Sequence, residues 1–197
     1  IRSNPARSQQ VMYIARKYRK SNIVEYVLYM WHIEELIRSM NLDMKLIEDG
    51  IIRSFPMNGK AKGELRTWYE TLVKTMQGER IKQKGHLSEL TELVTELTFL
   101  HQSLLTVYQD KAYQKLVAEA QPNLDALKLK TQGEARSEVE AALNGLFGVL
   151  VLKLKKREVS EATQDAVQSI SKMMAHLAKQ YNAMKEGSLA LPRVMEN

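Results

Sequence analysis

The residues best suited to chemistry in this chain are Glu34, Arg38, His86 and His101. Glu34 belongs to the run SNIVEYVLYMWHIEELIRSM, residues 21–40, where helical spacing puts it between Ile23 and Val27 inside an apolar arc. An unpaired carboxylate there is costly and requires a partner. Arg38 follows one turn on, in the acid-then-base order that favours an ion pair along a helix. The spacing predicts a Glu34–Arg38 pair at the core's edge, with a polar group lining a pocket as the alternative. His101 falls in the middle of an apolar face that runs from Leu87 to Leu105, and His86 lies near the start of that face. A neutral imidazole in such a place must satisfy its ring N–H, through a Tyr, a Glu or a carbonyl of another helix, or through a ligand or metal. If the chain has a site, these positions put it between the helix of Glu34 and the helix of His101.

Other catalytic patterns are missing. Di-iron bundles use Glu-x-x-His on facing helices. Here the order is reversed in His32-x-x-Glu35 and His86-x-x-Glu89, and Glu-x-x-His occurs nowhere. His32 shares a narrow strip with Glu25, Glu35 and Ser39, which reads as a solvated face. The chain has no cysteine, which excludes disulfides, thiolate zinc sites and thiol nucleophiles. No serine-centred nucleophile elbow is present. Neither a metal nor a cofactor is expected, and the balance leans away from an enzyme.

The elements that carry these residues are helical. With 44% hydrophobic and 26% charged residues the composition is that of a soluble globular protein, and few Gly and Pro favour helix. Residues 21–40 form a central helix, apolar nearly all round in its first half, with Asn22 and Glu25 at capping-box spacing and Ser21 a second capping candidate. Val11–Lys20 leads into it. Asn41 or Asp43 caps a short helix, and Pro56, Asn58, Gly59 and Gly63 mark a loop. Leu65, Trp68, Tyr69, Leu72, Val73 and Met76 give a third helix a clean apolar stripe. The fourth helix spans about Leu87–Val107 and continues through Tyr108–Ala120 until Pro122 interrupts it, with Thr131–Gly133 a loop.

A helical hairpin follows. Its first arm, Ser137–Arg157, has Gly145 and Gly148 opposite its stripe, placed either to admit a neighbouring helix or to face water. Its second arm is capped by Ser160, carries a heptad seam from Thr163 to Met184 and ends at Gly187. His176 lies off that seam and is expected to be exposed. The fold class is all-α: one bundle of six or seven helices without a sheet, a single domain over 12–187. Residues 1–11 read as a non-native or disordered N-terminal extension, with Met12 a candidate start, and 188–197 as a loose tail.

The formal charge of +6 and pI near 9.4 raise the question of anionic partners. The excess clusters at Arg16–Lys20, Arg80–Lys84 and Lys153–Arg157. No zinc-finger spacing, phosphate-binding glycine loop or aromatic-studded basic strand accompanies it, so nucleic acid is a minor alternative. The longest apolar stretch, Ala141–Leu152, is broken by Asn144 and falls short of the roughly 20 residues a membrane span needs. With no secretory signal and no cysteine, a cytoplasmic location is expected.

Three stretches, YIARKYRKSNIVEYVLYMWHIEELIR, KGHLSELTELVTELTFLHQSLL and EVEAALNGLFGVLVLKLKKREVSEATQ, resemble an uncharacterised bacterial family of helical proteins catalogued as a domain of unknown function. The resemblance extends from Met12 to Lys185 and implies a cytoplasmic single-domain helical protein. It implies no activity and no site residues. The leading expectation is a non-enzymatic module that binds a protein partner or itself. A bundle with a polar pocket at Glu34, Arg38, His86 and His101, either ligand-binding or enzymatic, is the second, and a nucleic-acid-associated protein the third.

Overall fold

Asn22 divides the first long helical run of the chain in two. Its backbone is extended (φ −157°), and its side-chain oxygen accepts from the N–H groups of Val24 (3.1 Å) and Glu25 (3.2 Å). That is N-cap geometry, which satisfies donors a helix start otherwise leaves open. Ser21 does not compete, because its hydroxyl donates back to the Lys17 carbonyl at 3.0 Å.

The structure is a computed structural model that describes residues 10–54, 59–130 and 135–189. Along these run α1 (Gln10–Ser21), α2 (Ile23–Ser39), α3 (Met44–Gly50), a 3-10 turn (Ile52–Ser54), α4 (Gly59–Gly78), α5 (Ser88–Thr106), α6 (Lys111–Lys130), α7 (Glu138–Leu154) and α8 (Glu161–Lys185). No strand occurs among the described residues. The residues expected to form the N-terminal extension up to position 9, Pro56 and Asn58 of the first loop, the loop at Thr131–Gly133 and the tail beyond 189 lie outside them, whereas Gly59 and Gly63, expected in that first loop, belong to α4.

Among the described residues eight α-helices stand where six or seven were expected, for identifiable reasons. Asn22 makes α1 a helix of its own. The continuation expected past Val107 breaks where Gln109 takes a left-handed φ of 46°, and Asp110 then accepts the Tyr113 N–H at 3.0 Å to start α6 afresh. Pro122, by contrast, does not end α6. Its ring removes one helical hydrogen bond, and packing on both sides compensates: Ala120 and Leu124 are fully buried.

Helix α2 is the centre, as its nearly continuous apolar surface requires. It packs against α1, α5, α7 and α8, and its buried residues run from Ile23 to Ile37. The most extensive helix pair is α6 with α8. The heptad seam of α8 faces this interior, with Ile170, Met174, Leu177 and Tyr181 all buried. Leu65, Tyr69, Val73 and Met76 of α4 are buried in the same core, and Trp68 packs on it partly exposed. Gly145 admits a neighbour: a Cβ there would meet Leu127 of α6 at 2.6 Å, whereas Gly148 faces open space.

Candidate functional site

The four polar residues singled out by type and spacing divide into two separate centres. Glu34, Arg38 and His86 meet where the segment after α4 turns into α5. His101 lies on α5 beyond Leu87, roughly 20 Å further along at about 1.5 Å per residue.

Glu34 is 1% exposed, and both of its oxygens are used. Oε2 lies 2.6 Å from His86 Nδ1, and Oε1 accepts the Leu87 N–H at 2.8 Å. An ionised carboxylate only accepts, so the ring N–H of His86 sits on Nδ1. Leu87 is the N-cap of α5 and has no side chain able to cap it. Glu34 on α2 and Glu79, the first residue after α4, do this work from outside, with Glu79 accepting the Ser88 N–H at 2.8 Å. Two carboxylates at a helix N-terminus also complement its dipole.

Arg38 does not pair with Glu34. Its Nη1 donates to Glu35 at 2.6 Å, its Nε to the Ile81 carbonyl at 3.3 Å, and its Nη2 to the Gly85 carbonyl. The expected Glu34–Arg38 pair is therefore corrected: each residue is drawn to the α4–α5 segment instead, Glu34 to its donors and Arg38 to its acceptors. Gly85 takes φ +96°, open to glycine at little cost, as the segment passes Arg38. Trp31, 2% exposed, stacks on the His86 ring (4.2 Å between centroids, 15°) and meets Phe147 of α7 edge-on (5.7 Å, 89°).

His101, also 1% exposed, has Tyr113 Oη 2.8 Å from Nδ1 and Glu138 Oε2 3.3 Å from Nε2. The second contact lacks hydrogen-bond alignment. A proton on Nε2 faces the carboxylate and leaves Nδ1 to accept from the tyrosine. Burial lowers the His101 pKa, with Glu138 opposing. Burial also raises the Tyr113 pKa, so its hydroxyl stays protonated. For Glu138, burial acts upward, but the hydrogen bond from Gln121 and the charge of Lys128 outweigh it and hold the group below the usual range.

The opposite face of Tyr113 stacks on His176 (5.4 Å, 23°), whose Nε2 is 2.8 Å from Asp110 Oδ2. His176 is thus half-buried and bonded rather than exposed. A polar chain of Lys128, Glu138, His101, Tyr113, His176 and Asp110 links α5, α6, α7 and α8. Sequence reasoning missed Trp31, Tyr113, Glu138, Asp110 and His176 as partners. Only Tyr113 left a trace, since a tyrosine on an apolar stripe must bring a partner for its hydroxyl.

A cleft of about 500 Å³ opens between α2 and α7. Leu36, Phe147, Val151 and Leu154 supply its apolar surface, and His32, Glu35, Ser39 and Lys155 its polar groups. Glu25, Glu35 and Ser39 of the expected solvated strip are exposed, while His32 on the same strip is half-buried at the cleft, and burial lowers its pKa. Among the described residues no three His, Cys, Asp or Glu side chains converge to hold a metal ion. None of the described helices is long and apolar enough to cross a membrane.

The class these features define is an all-α bundle whose buried polar groups fasten its own helices and whose surface carries an apolar cleft. The chain belongs to the family described as "Domain of unknown function (DUF4924)", whose model matches residues 12–188. No curated protein and no solved structure matches it.

Proposed function

We propose that this protein is a non-enzymatic protein-interaction module that docks its partner in the α2–α7 cleft. The observation that carries this reading is the contrast between engaged polar groups and an open apolar surface. Both oxygens of Glu34 and all three nitrogens of Arg38 bind the protein's own backbone and side chains, which gives them work in holding the helices together. The cleft, by contrast, presents partly exposed Leu36, Phe147 and Val151 beside Leu154, which is 53% exposed, and it is open among the described residues. Apolar surface between two helices, rimmed by polar side chains, is how helix-in-groove recognition is built. A chain without cysteine suits a reducing compartment, and the resemblance to bacterial helical proteins adds a bacterial cytoplasm to this reading.

A cleft of this volume is also within the range of small-molecule pockets, about 300–1,000 Å³, so a ligand-binding bundle is the second reading. Two measurements separate them. A photo-reactive residue at Val151 should give a discrete protein adduct in cells, suppressed by Leu154→Ser, while the same residue at Phe99, exposed on α5, should not. Native mass spectrometry of the purified chain should show no co-purifying small molecule. A bound small molecule displaced by Leu154→Ser, or identical adducts from Val151 and Phe99, would overturn the docking reading.

A further inference from the structure

We infer that the segment received by the α2–α7 cleft is an acidic amphipathic helix of a partner protein. This rests on the docking reading of the cleft and adds the chemistry of its occupant.

The shape comes first. Phe147, Val151 and Leu154 follow one another at four and three residues along α7, and His32, Leu36 and Ser39 do the same along α2. The two stripes make a groove about two helical turns long, roughly 10 Å. It matches anchor side chains at i, i+4 and i+7 on a helix laid along it. An acyl chain in so open a groove would keep much of its surface in water, whereas small-molecule sites enclose most of their ligand.

The charge decides the partner's flank. On the α2 side, the carboxylate of Glu35 is neutralised by Arg38 at 2.6 Å. On the α7 side, Lys155 lines the groove, and Lys156 and Arg157 follow immediately. All three are exposed and make no ion pair among the described residues. Lys153 in the last turn of α7 complements the helix dipole, but the other three lie past Leu154, where α7 ends. The groove is therefore apolar along its floor and cationic at the end where α7 stops. An occupant with a matching apolar stripe and carboxylates beside it satisfies both. A second copy of this chain is the poorer match, because its own cleft carries the same unpaired cations and offers no carboxylate-flanked apolar stripe in return.

The test uses the full chain and fluorescence anisotropy of labelled synthetic peptides. One peptide carries Leu at i, i+4 and i+7 with Glu on its flanks, and its twin has Lys for every Glu. The acidic peptide should bind saturably and about tenfold or more tighter than its twin, with affinity falling as salt rises. Lys155→Glu with Lys156→Glu should weaken it about tenfold, whereas Lys17→Glu with Lys20→Glu on α1 should change it less than about twofold. Leu154→Ser, at an exposed position where folding is not at risk, should weaken it too.

Three results would overturn the acidic partner: equal or tighter binding of the basic twin, no binding of either peptide, or equal loss from the α1 reversal. Sedimentation with phosphatidylglycerol vesicles through Lys155 and Lys156, without peptide binding, would replace it with a membrane surface. If both peptides bind equally and Leu154→Ser abolishes both, docking stands and the acidic character falls. If Leu154→Ser weakens neither peptide, docking in this cleft falls with it.

Discussion

Glu34 and His101 are equally buried, at 1% exposure each, yet the fold treats them differently. The carboxylate has a short partner for each oxygen, one of them a backbone N–H at a helix start. The imidazole has one aligned partner, Tyr113, and an unaligned carboxylate on its other nitrogen. The physical reason lies in what each group can tolerate. A buried charge without partners costs far more than a neutral ring with one weak contact. Glu34 therefore serves as a cap supplied from another helix, and its loss should expose the start of α5. His101 serves as a hub among four helices that can give without any one of them losing its end.

The largest expected effect tests the first half of that contrast. Glu34→Ala leaves the buried Leu87 N–H and the His86 ring without an acceptor, and should cost about 3 kcal/mol in urea unfolding. Glu34→Gln keeps an acceptor for Leu87 and should cost about half as much. Equal losses from the two would mean that the negative charge of Glu34, rather than the backbone cap, dominates.

His101→Leu should cost less, about 1–2 kcal/mol, because it strands only the Tyr113 hydroxyl. Tyr113→Phe should cost about 1 kcal/mol, and the double variant should recover part of the sum. Strict additivity would show that the two side chains are not coupled and would break the picture of His101 as a hub.

The pH dependence follows from the direction of the His101 shift. Its folded pKa is depressed by burial, so the unfolded chain takes up the proton first as pH falls. Stability is complete above the unfolded value, about 6.5, and declines as pH drops through it towards the lower folded value. Glu138 and Asp110, both held below the usual carboxylate range, add a further loss at more acidic pH. For Asp110, burial acts upward, and the His176 hydrogen bond with the backbone N–H of Tyr113 prevails. Urea unfolding at pH 7 and pH 5.5 should show a smaller drop for His101→Leu than for the parent chain. Burial depresses the His32 pKa as well, so His32→Gln separates its share of the drop from that of His101. An unchanged drop in His101→Leu would remove His101 from the acid response.

The smallest effect sharpens the contrast between buried and exposed positions. Leu154→Ser should change stability by no more than about 0.5 kcal/mol, because Leu154 is more than half exposed. A larger cost would mean that the cleft surface is part of the core rather than a surface left open.

Much of this was legible in advance, and unevenly. The central place of α2 followed from an apolar surface too broad for one neighbour, and the buried stripes of α4 and α8 followed from their spacing. Asn22, Asp43 and Ser160 act as caps where their side chains suggested it. Glu34 and His101 announced themselves as polar residues in apolar arcs, and they are the two buried polar residues of the described core. What spacing could not supply was partners. Glu34 lies 52 positions from His86, and His176 lies 66 from Asp110, so no local rule couples them. Spacing along α2 instead favoured Arg38, the nearest cation, over a backbone amide on a distant segment.

The sequence by itself determined which residues had to be buried, because burial follows from apolar periodicity along each helix and each helix reads its own pattern. It also determined that Glu34 and His101 would need partners, since an unsatisfied polar group in a core is expensive wherever it arises. Only the tertiary structure decided who those partners are, that the two residues occupy separate centres, and that His32 looks into a cleft. Those outcomes depend on how helices lie against one another. A side chain selects among all the donors and acceptors that packing brings within about 3 Å, and that choice is made in space rather than along the chain.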